Sequence, residues 1–308
     1  MAELPAPVPH TVNAIYAWHE ARRSGGMSDG IAISQLGDEC DRRLWYAFRW
    51  IFAAESFSGR MLRLFETGER EEVRMLAELR AIGCEVSGEQ ERVRACGEHL
   101  RGKLDGRVIG LPEAPKTEHI IECKTHSLKN FKAVQKHGVK HAKFAHWVQM
   151  QIYMHLTGLQ RALYMAHCKD TDDLYTERVE YDLVFCARAV ARAERIIAAH
   201  EPPQKLHENP ASRAAFQCSY CPAKGVCHES AEPRRTCRSC ISATPIAGGW
   251  HCDRLNIPLD RDAQQKGCPD HRYLPKLVHG QQVDYVLETH QLIYEMPDGS
   301  EWIDGGCQ

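Results

Sequence analysis

The chain has 308 residues, 43% of them hydrophobic, and a formal net charge of −2. That composition can bury one substantial core plus a smaller unit, and the near-neutral charge excludes a nucleic-acid partner held by bulk basicity, so any such contact must rest on local patches. No run approaches the roughly eighteen apolar residues of a membrane span, and MAELPAPVPH lacks a signal-peptide pattern, so a cytoplasmic chain with no membrane partner is expected. In a reducing compartment, fourteen cysteines argue for metal binding rather than a disulfide framework.

Residues 1–9 read as a Pro-rich lead. A helix is expected over Thr11–Arg23, with Val12, Ile15, Tyr16, Trp18 and His19 partly on one side, then a loop over Ser24–Gly30. Ser34 is a candidate N-cap for SQLGDECDRRLWYAFRW, where Leu36, Cys40, Leu44 and Phe48 follow helical spacing and Cys40 faces inward as a core cysteine. Arg60–Ile82 is an amphipathic helix with Leu64, Phe65, Leu76 and Leu79 as core candidates and Gly83 as its stop. Strands are expected at 84–95, 99–110 and 118–124, helix over 127–158 with a break near Gly138, and strands at 161–168 and 175–182. A helix from Leu183 to His200 ends at Pro202-Pro203. This alternation implies an α/β core. Eight of the fourteen cysteines lie beyond Pro203, and a second, small module is expected from residue 231 onward.

The stretch Gly102–Lys124 carries the first chemical signal. GKLDGRVIG and HIIECKTHS flank a Pro-containing turn and read as a hairpin-like pair of strands. Period-2 alternation puts Glu122 and Lys124 on one face and Cys123 on the other. With Asp105 beside Glu122, two carboxylates and an ammonium converge, a set suited to a divalent cation and an attacking water. Alone, the same residues also describe a surface salt bridge. Downstream, His146, Gln149 and Tyr153 share a helix face, where the Gln and Tyr can hold a phosphate or orient metal ligands, or simply face water. Lys129, Lys132, Lys136, Lys140 and Lys143 fall within a narrow arc if the helix is continuous, a stripe suited to a phosphate backbone or to solvent.

Two cysteine groups follow. CSYCPAKGVC supplies Cys218, Cys221 and Cys227 from one tight loop. A soft-metal centre needs a fourth ligand: four thiolates suit a 4Fe–4S cluster, three plus His suit zinc, with His228 adjacent and Cys40 distant in sequence. The last module offers Cys237, Cys240, Cys252, Cys268 and His271, five candidates for four places at zinc-ribbon-like spacing, with the four cysteines favoured and structural zinc the expected occupant.

Asp105 in GKLDG, Glu122-Cys-Lys124 and Gln149-Met-Gln-Ile-Tyr153 together resemble the RecB-type branch of the PD-(D/E)XK nuclease superfamily. Cys40 with Cys218, Cys221 and Cys227 resembles the iron–sulfur staple of its CRISPR-associated and AddB-like members. The GxxxE helix, Gly68 to Glu72, matches the place where relatives supply a further metal ligand, here Glu72 as in phage-type exonucleases. The resemblance covers roughly residues 30–230. It implies a restriction-endonuclease-like core, a mixed central sheet flanked by helices, over 31–230. An N-terminal lead and helix (1–30) would precede it, and a zinc-ribbon-like module (231–308) would follow. It also implies Mg²⁺ or Mn²⁺ on Glu72, Asp105, Glu122 and the Cys123 carbonyl, with Lys124 at the attacking water and Gln149 and Tyr153 orienting the site. The cluster would join the two ends of the domain. DNA would be the substrate, in recombination, repair or phage DNA processing, with a recombination or annealing protein as a candidate partner. The alternative is a non-catalytic, metal-stabilised nucleic-acid-binding module. An iron–sulfur redox protein is disfavoured because no Gly-rich dinucleotide fingerprint opens a strand–helix turn.

Overall fold

The computed structural model describes residues 10–22, 26–54 and 56–305; the Pro-rich lead expected over 1–9 lies outside them, as do Arg23 to Gly25. In chain order, α1 (His10–Arg22), β1 (Ile31–Ala32), α2 (Asp41–Phe48) and α3 (Gly59–Ala81) come first. Next come β2 (Glu85–Ser87), β3 (Arg92–Ala95), β4 (Leu100–Lys103), β5 (Gly106–Ile109) and β6 (His119–His126). α4 (Leu128–Ala142), α5 (Phe144–Thr157), β7 (Arg161–Cys168), β8 (Leu174–Glu180) and α6 (Leu183–Ala198) follow. The remainder holds α7 (Lys224–His228), β9 (Ala243–Ile246), β10 (Gly249–Cys252), β11 (Ile257–Leu259), α8 (Arg261–Gln265), β12 (Gln281–Val286), β13 (Gln291–Glu295) and β14 (Glu301–Asp304).

The fold is mixed α/β. Its central sheet runs β2-β5-β6-β7-β8. β6 and β7 are parallel, which requires a crossover, and α4 with α5 supplies it; the other pairs are antiparallel. Alternation along β6 feeds two cores. Ile121 and Cys123 pack with Met75, Leu76 and Leu79 of α3, while Ile120 joins Val148 and Ile152 of α5. A strand covered on both faces needs apolar residues at nearly every position. Glu122, fully buried, breaks that rule.

Several expectations give way to tertiary context. The runs 84–95 and 99–110 each split: β2 and β5 stay in the central sheet, while β3 and β4 join β1 in a separate three-stranded sheet. Gly88 and Gln90, at φ 62° and 57°, turn the chain after β2. The second break falls at Leu104 and Asp105, where Leu104 N–H donates to the Glu91 carbonyl (2.9 Å). The helix expected from Ser34 begins only at Asp41, after a short 3-10 turn over Ile33–Gln35. Between them Gly37 lies against α5, where a Cβ would stand 2.5 Å from Ala145 Cα. Cys40 is therefore not a core cysteine. It caps α2, its Sγ accepting from Arg43 N–H at 3.4 Å, and is partly exposed. Leu64 is exposed and Phe65 only half-buried, because that turn of α3 overhangs a cleft rather than the core. α1 buries no residue; Val12, Ile15 and Trp18 face outward. Among the described residues no helix is long and apolar enough to cross a membrane.

The hydrophobic core continues past residue 231. Trp250, Leu259, Leu274 and Leu277 belong to the same cluster as Trp45 and Phe48. Two buried arginines cross that join. Arg49 Nη1 donates to the Ala243 carbonyl (2.9 Å), and its guanidinium lies 4.9 Å from the Trp250 ring centre. Arg238 Nη1 donates to the Phe48 carbonyl (3.0 Å), and its guanidinium sits 3.7 Å from the Trp50 ring centre. Burial pulls the two down to about 10 and about 9, respectively. Aromatic faces and carbonyls, rather than a tight carboxylate pair, hold these charges. Trp250→Ala should cost about 3–5 kcal/mol and lower the midpoint of one cooperative urea transition; an early, separate transition of the C-terminal part would contradict the shared core.

Candidate active site

Asp105 stands at the corner between β4 and β5, which is why it can face β6. Its Oδ2 accepts the Cys123 N–H at 2.7 Å. β5 and β6 pair with Gly106 opposite Ile121, so the corner falls beside Glu122 and Cys123. On β6 the Lys124 ammonium contacts Glu122 Oε1 and donates to the Cys123 carbonyl at 3.2 Å. From α3, Glu72 reaches the same place, held by Gln90 Nε2 at 2.9 Å. Three carboxylates, one ammonium and one carbonyl thus approach one another beside the middle of β6. Glu72, Asp105 and Lys124 line a cleft of about 480 Å³ with Gly68, Phe65 and Asn130.

The charges are mutually frustrated. Burial, then the Asp105 charge, pushes Glu72 up to about 7. Burial lifts Glu122 to about 8 against the pull of Lys124, and raises Asp105 as well. Burial alone would discharge Lys124, but Glu122 and Asp105 outweigh it and hold the ammonium protonated. Glu122 Oε2 is buried with no hydrogen-bond partner among the described residues, a cost that a cation on oxygen ligands would remove.

Gln149 and Tyr153 sit beneath the cleft on α5, both buried, with Gln149 Nε2 donating to the Tyr153 hydroxyl at 3.2 Å. Tyr153 packs on the backbone of Gly102, where a Cβ would come within 2.6 Å of its ring. The lysine stripe is not continuous. Gly138 (φ 72°, ψ 164°) interrupts α4, so Lys129, Lys132 and Lys136 precede the break. Lys140 turns onto the Trp147 ring at 4.4 Å, and Lys143 joins α4 to α5. Four residues that the sequence does not single out also belong here: Gln90, which holds Glu72, and His126, Asn130 and Lys169, which line the cleft. His126 is legible as the next same-face residue after Lys124; the others come from elements whose placement no local pattern announces.

The cysteines gather in two places. Cys40, Cys218, Cys221 and Cys227 line one pocket with Arg42 and Tyr46, which joins the start of α2 to the loop around α7. Burial first, then neighbouring thiols, pushes Cys237 up to about 11, the neighbours being Cys268, Cys240 and Cys252. His271 is buried, its Nε2 3.0 Å from Ser239 Oγ, and burial brings it down to about 4. Among the described residues the expected zinc-ribbon-like module is not shown. β9-β10-β11 and β12-β13-β14 are small antiparallel sheets, and Cys237 Sγ donates to the Ala263 and Lys266 carbonyls (3.2 and 3.3 Å). Among the described residues, no group of three or more His, Cys, Asp or Glu side chains is arranged to grip a metal ion.

No family model and no curated protein matches the chain. Solved structures with a partly similar course include that of SSO0001 (17% identity, TM-score 0.40, covering 71% of this chain and 96% of that one). An alkaline exonuclease (LHK-Exo) from Laribacter hongkongensis overlaps with 15% identity and TM-score 0.37, over 60% of this chain and 90% of that one. A phage-related exonuclease from Haemophilus somnus 129PT overlaps with 16% identity and TM-score 0.31, over 42% and 69%.

The raised carboxylates give a pH signature. Folded-state values above the unfolded ones mean that the metal-free protein gains stability from Glu72 and Glu122 at low pH. That gain is lost as pH rises through about 7 and about 8. A divalent cation needs the ionised forms. The rise in melting temperature on adding Mn²⁺ should therefore be small near about pH 6 and larger near about pH 8.5, and Glu122→Gln should remove most of the difference. A pH-independent shift in the unaltered protein would contradict this origin.

Proposed function

We propose that the protein is a metal-dependent DNA exonuclease of the PD-(D/E)XK type, acting in recombination, repair or phage DNA processing. The observation that carries this reading is the convergence of Glu72, Asp105, Glu122, Lys124 and the Cys123 carbonyl around the middle of β6, beside an open cleft. An all-oxygen set with excess negative charge suits Mg²⁺ or Mn²⁺, and the partnerless Glu122 Oε2 fits that role. Such an ion supplies Lewis acidity to a phosphodiester and a more acidic bound water.

The chain's own residues do the rest. The Cys123 N–H fixes the Asp105 carboxylate. Lys124, kept charged by its carboxylate neighbours, is poised to stabilise negative charge developing on a phosphoryl oxygen rather than to act as the resting base. Gln149 and Tyr153 brace the floor under Glu122 and Asp105. The thiols of Cys40, Cys218, Cys221 and Cys227 form a soft donor set that would take a 4Fe–4S cluster, or zinc, and tie residue 40 to the loop near 220. Cys237, Cys240, Cys252 and Cys268 would take structural zinc, with His271 engaged by Ser239 and so left over.

Anaerobically purified protein should degrade end-labelled linear DNA with Mg²⁺ or Mn²⁺. Asp105→Ala and Lys124→Ala should each lower the rate by about 100-fold or more while DNA still binds. If the unaltered protein binds DNA without cutting, and Asp105→Ala binds equally, the non-catalytic binding module replaces the nuclease. Metal analysis separates the cysteine sites: Cys40→Ser should deplete iron (or zinc) bound with the 218–227 loop and spare zinc bound through Cys252. Unchanged metal content would remove Cys40 from the ligand set.

A further inference from the structure

Beside the carboxylate cluster lies a hydrogen-bonded chain that the proposed hydrolysis does not use. Tyr164 is opposite Glu122 in the parallel β6–β7 ladder. Its hydroxyl lies between two imidazoles, 2.7 Å from His126 Nε2 and 3.0 Å from His146 Nδ1. The two rings stack, with centroids 5.8 Å apart and planes 14° from parallel. His126 is only 5% exposed yet lines the cleft with Lys124, Thr125, Ser127, Asn130 and Lys169. With Nε2 committed to Tyr164, Nδ1 is the ring nitrogen left for the cleft, and among the described residues no hydrogen bond engages it.

A phenol has one proton, so Tyr164 donates to one imidazole and accepts from the other. Burial, with Lys143 and Lys124 nearby, pulls His126 down to about 4; burial and Lys124 pull His146 down to about 3. Both rings are neutral at neutral pH, so each carries a single N–H. If His146 donates from Nδ1 and Tyr164 passes its proton toward His126 Nε2, the N–H of His126 must sit on Nδ1, toward the cleft. An anionic ligand there selects this polarity. His126 follows Lys124 by two residues on the same strand face, about 6–7 Å along β6. An extended anionic polymer held at Lys124 would pass it.

We propose that His126 is a substrate-contacting residue that donates from Nδ1 to a backbone phosphate oxygen of the bound DNA strand, with Tyr164 and His146 as positioning residues that fix the donor. This rests on the nuclease reading for its substrate and names a residue that reading does not require.

Side-chain isosteres test it. Asn places its amide nitrogen near the position of Nδ1, whereas Gln reaches the position of Nε2. His126→Asn should keep kcat/KM on end-labelled DNA within about threefold of the unaltered protein. His126→Gln should lose about 10–100-fold, and Tyr164→Phe should lose about 10-fold through a misdirected ring. Binding is read separately, by fluorescence anisotropy of labelled DNA with Ca²⁺ in place of Mg²⁺. His126→Gln should bind several-fold more weakly than His126→Asn. The opposite order, Gln active and Asn impaired, would mean that His126 serves only Tyr164 and would overturn the proposal. Equal behaviour of both variants with the unaltered protein would overturn it too. Should the unaltered protein bind but not cut, the nuclease reading falls, and the anisotropy order by itself upholds or overturns the phosphate contact. Thermal melting identifies any variant that fails to fold, and Tyr164→Phe, which keeps the packed ring, then stands in for it.

Discussion

A carboxylate at the centre of a buried strand is the constraint around which the rest is arranged. Glu122 has no exposed surface, and an unpaired charge there would cost several kcal/mol. Lys124 offsets part of that cost from two residues along the strand. Asp105 and Glu72 add like charge rather than relief; burial raises all three carboxylates, and the neighbouring carboxylates push Glu72 and Glu122 further up. A protein selected only for stability would place a hydrophobic side chain at residue 122. Keeping Glu122 there leaves a centre that a divalent cation would relax.

The surrounding fold keeps that centre rigid on its buried side and open on the other. Below, Gln149 and Tyr153 are fixed by packing, and the absence of a Cβ at Gly102 lets the Tyr153 ring come close. Above, α3 overhangs the cleft with Leu64 and Phe65 instead of sealing it. The His126–Tyr164–His146 chain closes one side with neutral, mutually bonded groups.

The far side of the molecule follows a different rule. Arg49 and Arg238 are buried without tight carboxylate partners, sandwiched among Trp45, Trp50 and Trp250, and bonded to main-chain carbonyls across the join between the central fold and the last third. Each donates to a main-chain carbonyl of the other segment. Cys40 also meets the 218–227 loop in one pocket. The chain's late residues therefore complete the early core.

The sequence by itself determined the elements whose signals are local. It gave the Arg60–Ile82 periodicity, the break at Gly138, the alternation that sets Glu122 beside Lys124, and the hairpin that carries Asp105 toward them. These depend on residues a few positions apart, and backbone geometry alone relates them. Tertiary structure decided the rest. Strands 84–95 and 99–110 look continuous, yet each divides between two sheets, because the partners lie elsewhere in the chain. Cys40 looks like a core position at helical spacing, yet Gly37 against Ala145 delays the helix and turns that residue into a cap. Tyr164, fifteen residues beyond Gln149, reveals its link to His126 and His146 only once β7 lies parallel to β6. Contacts between distant segments are set by which apolar faces can be buried together, and no local pattern carries that information.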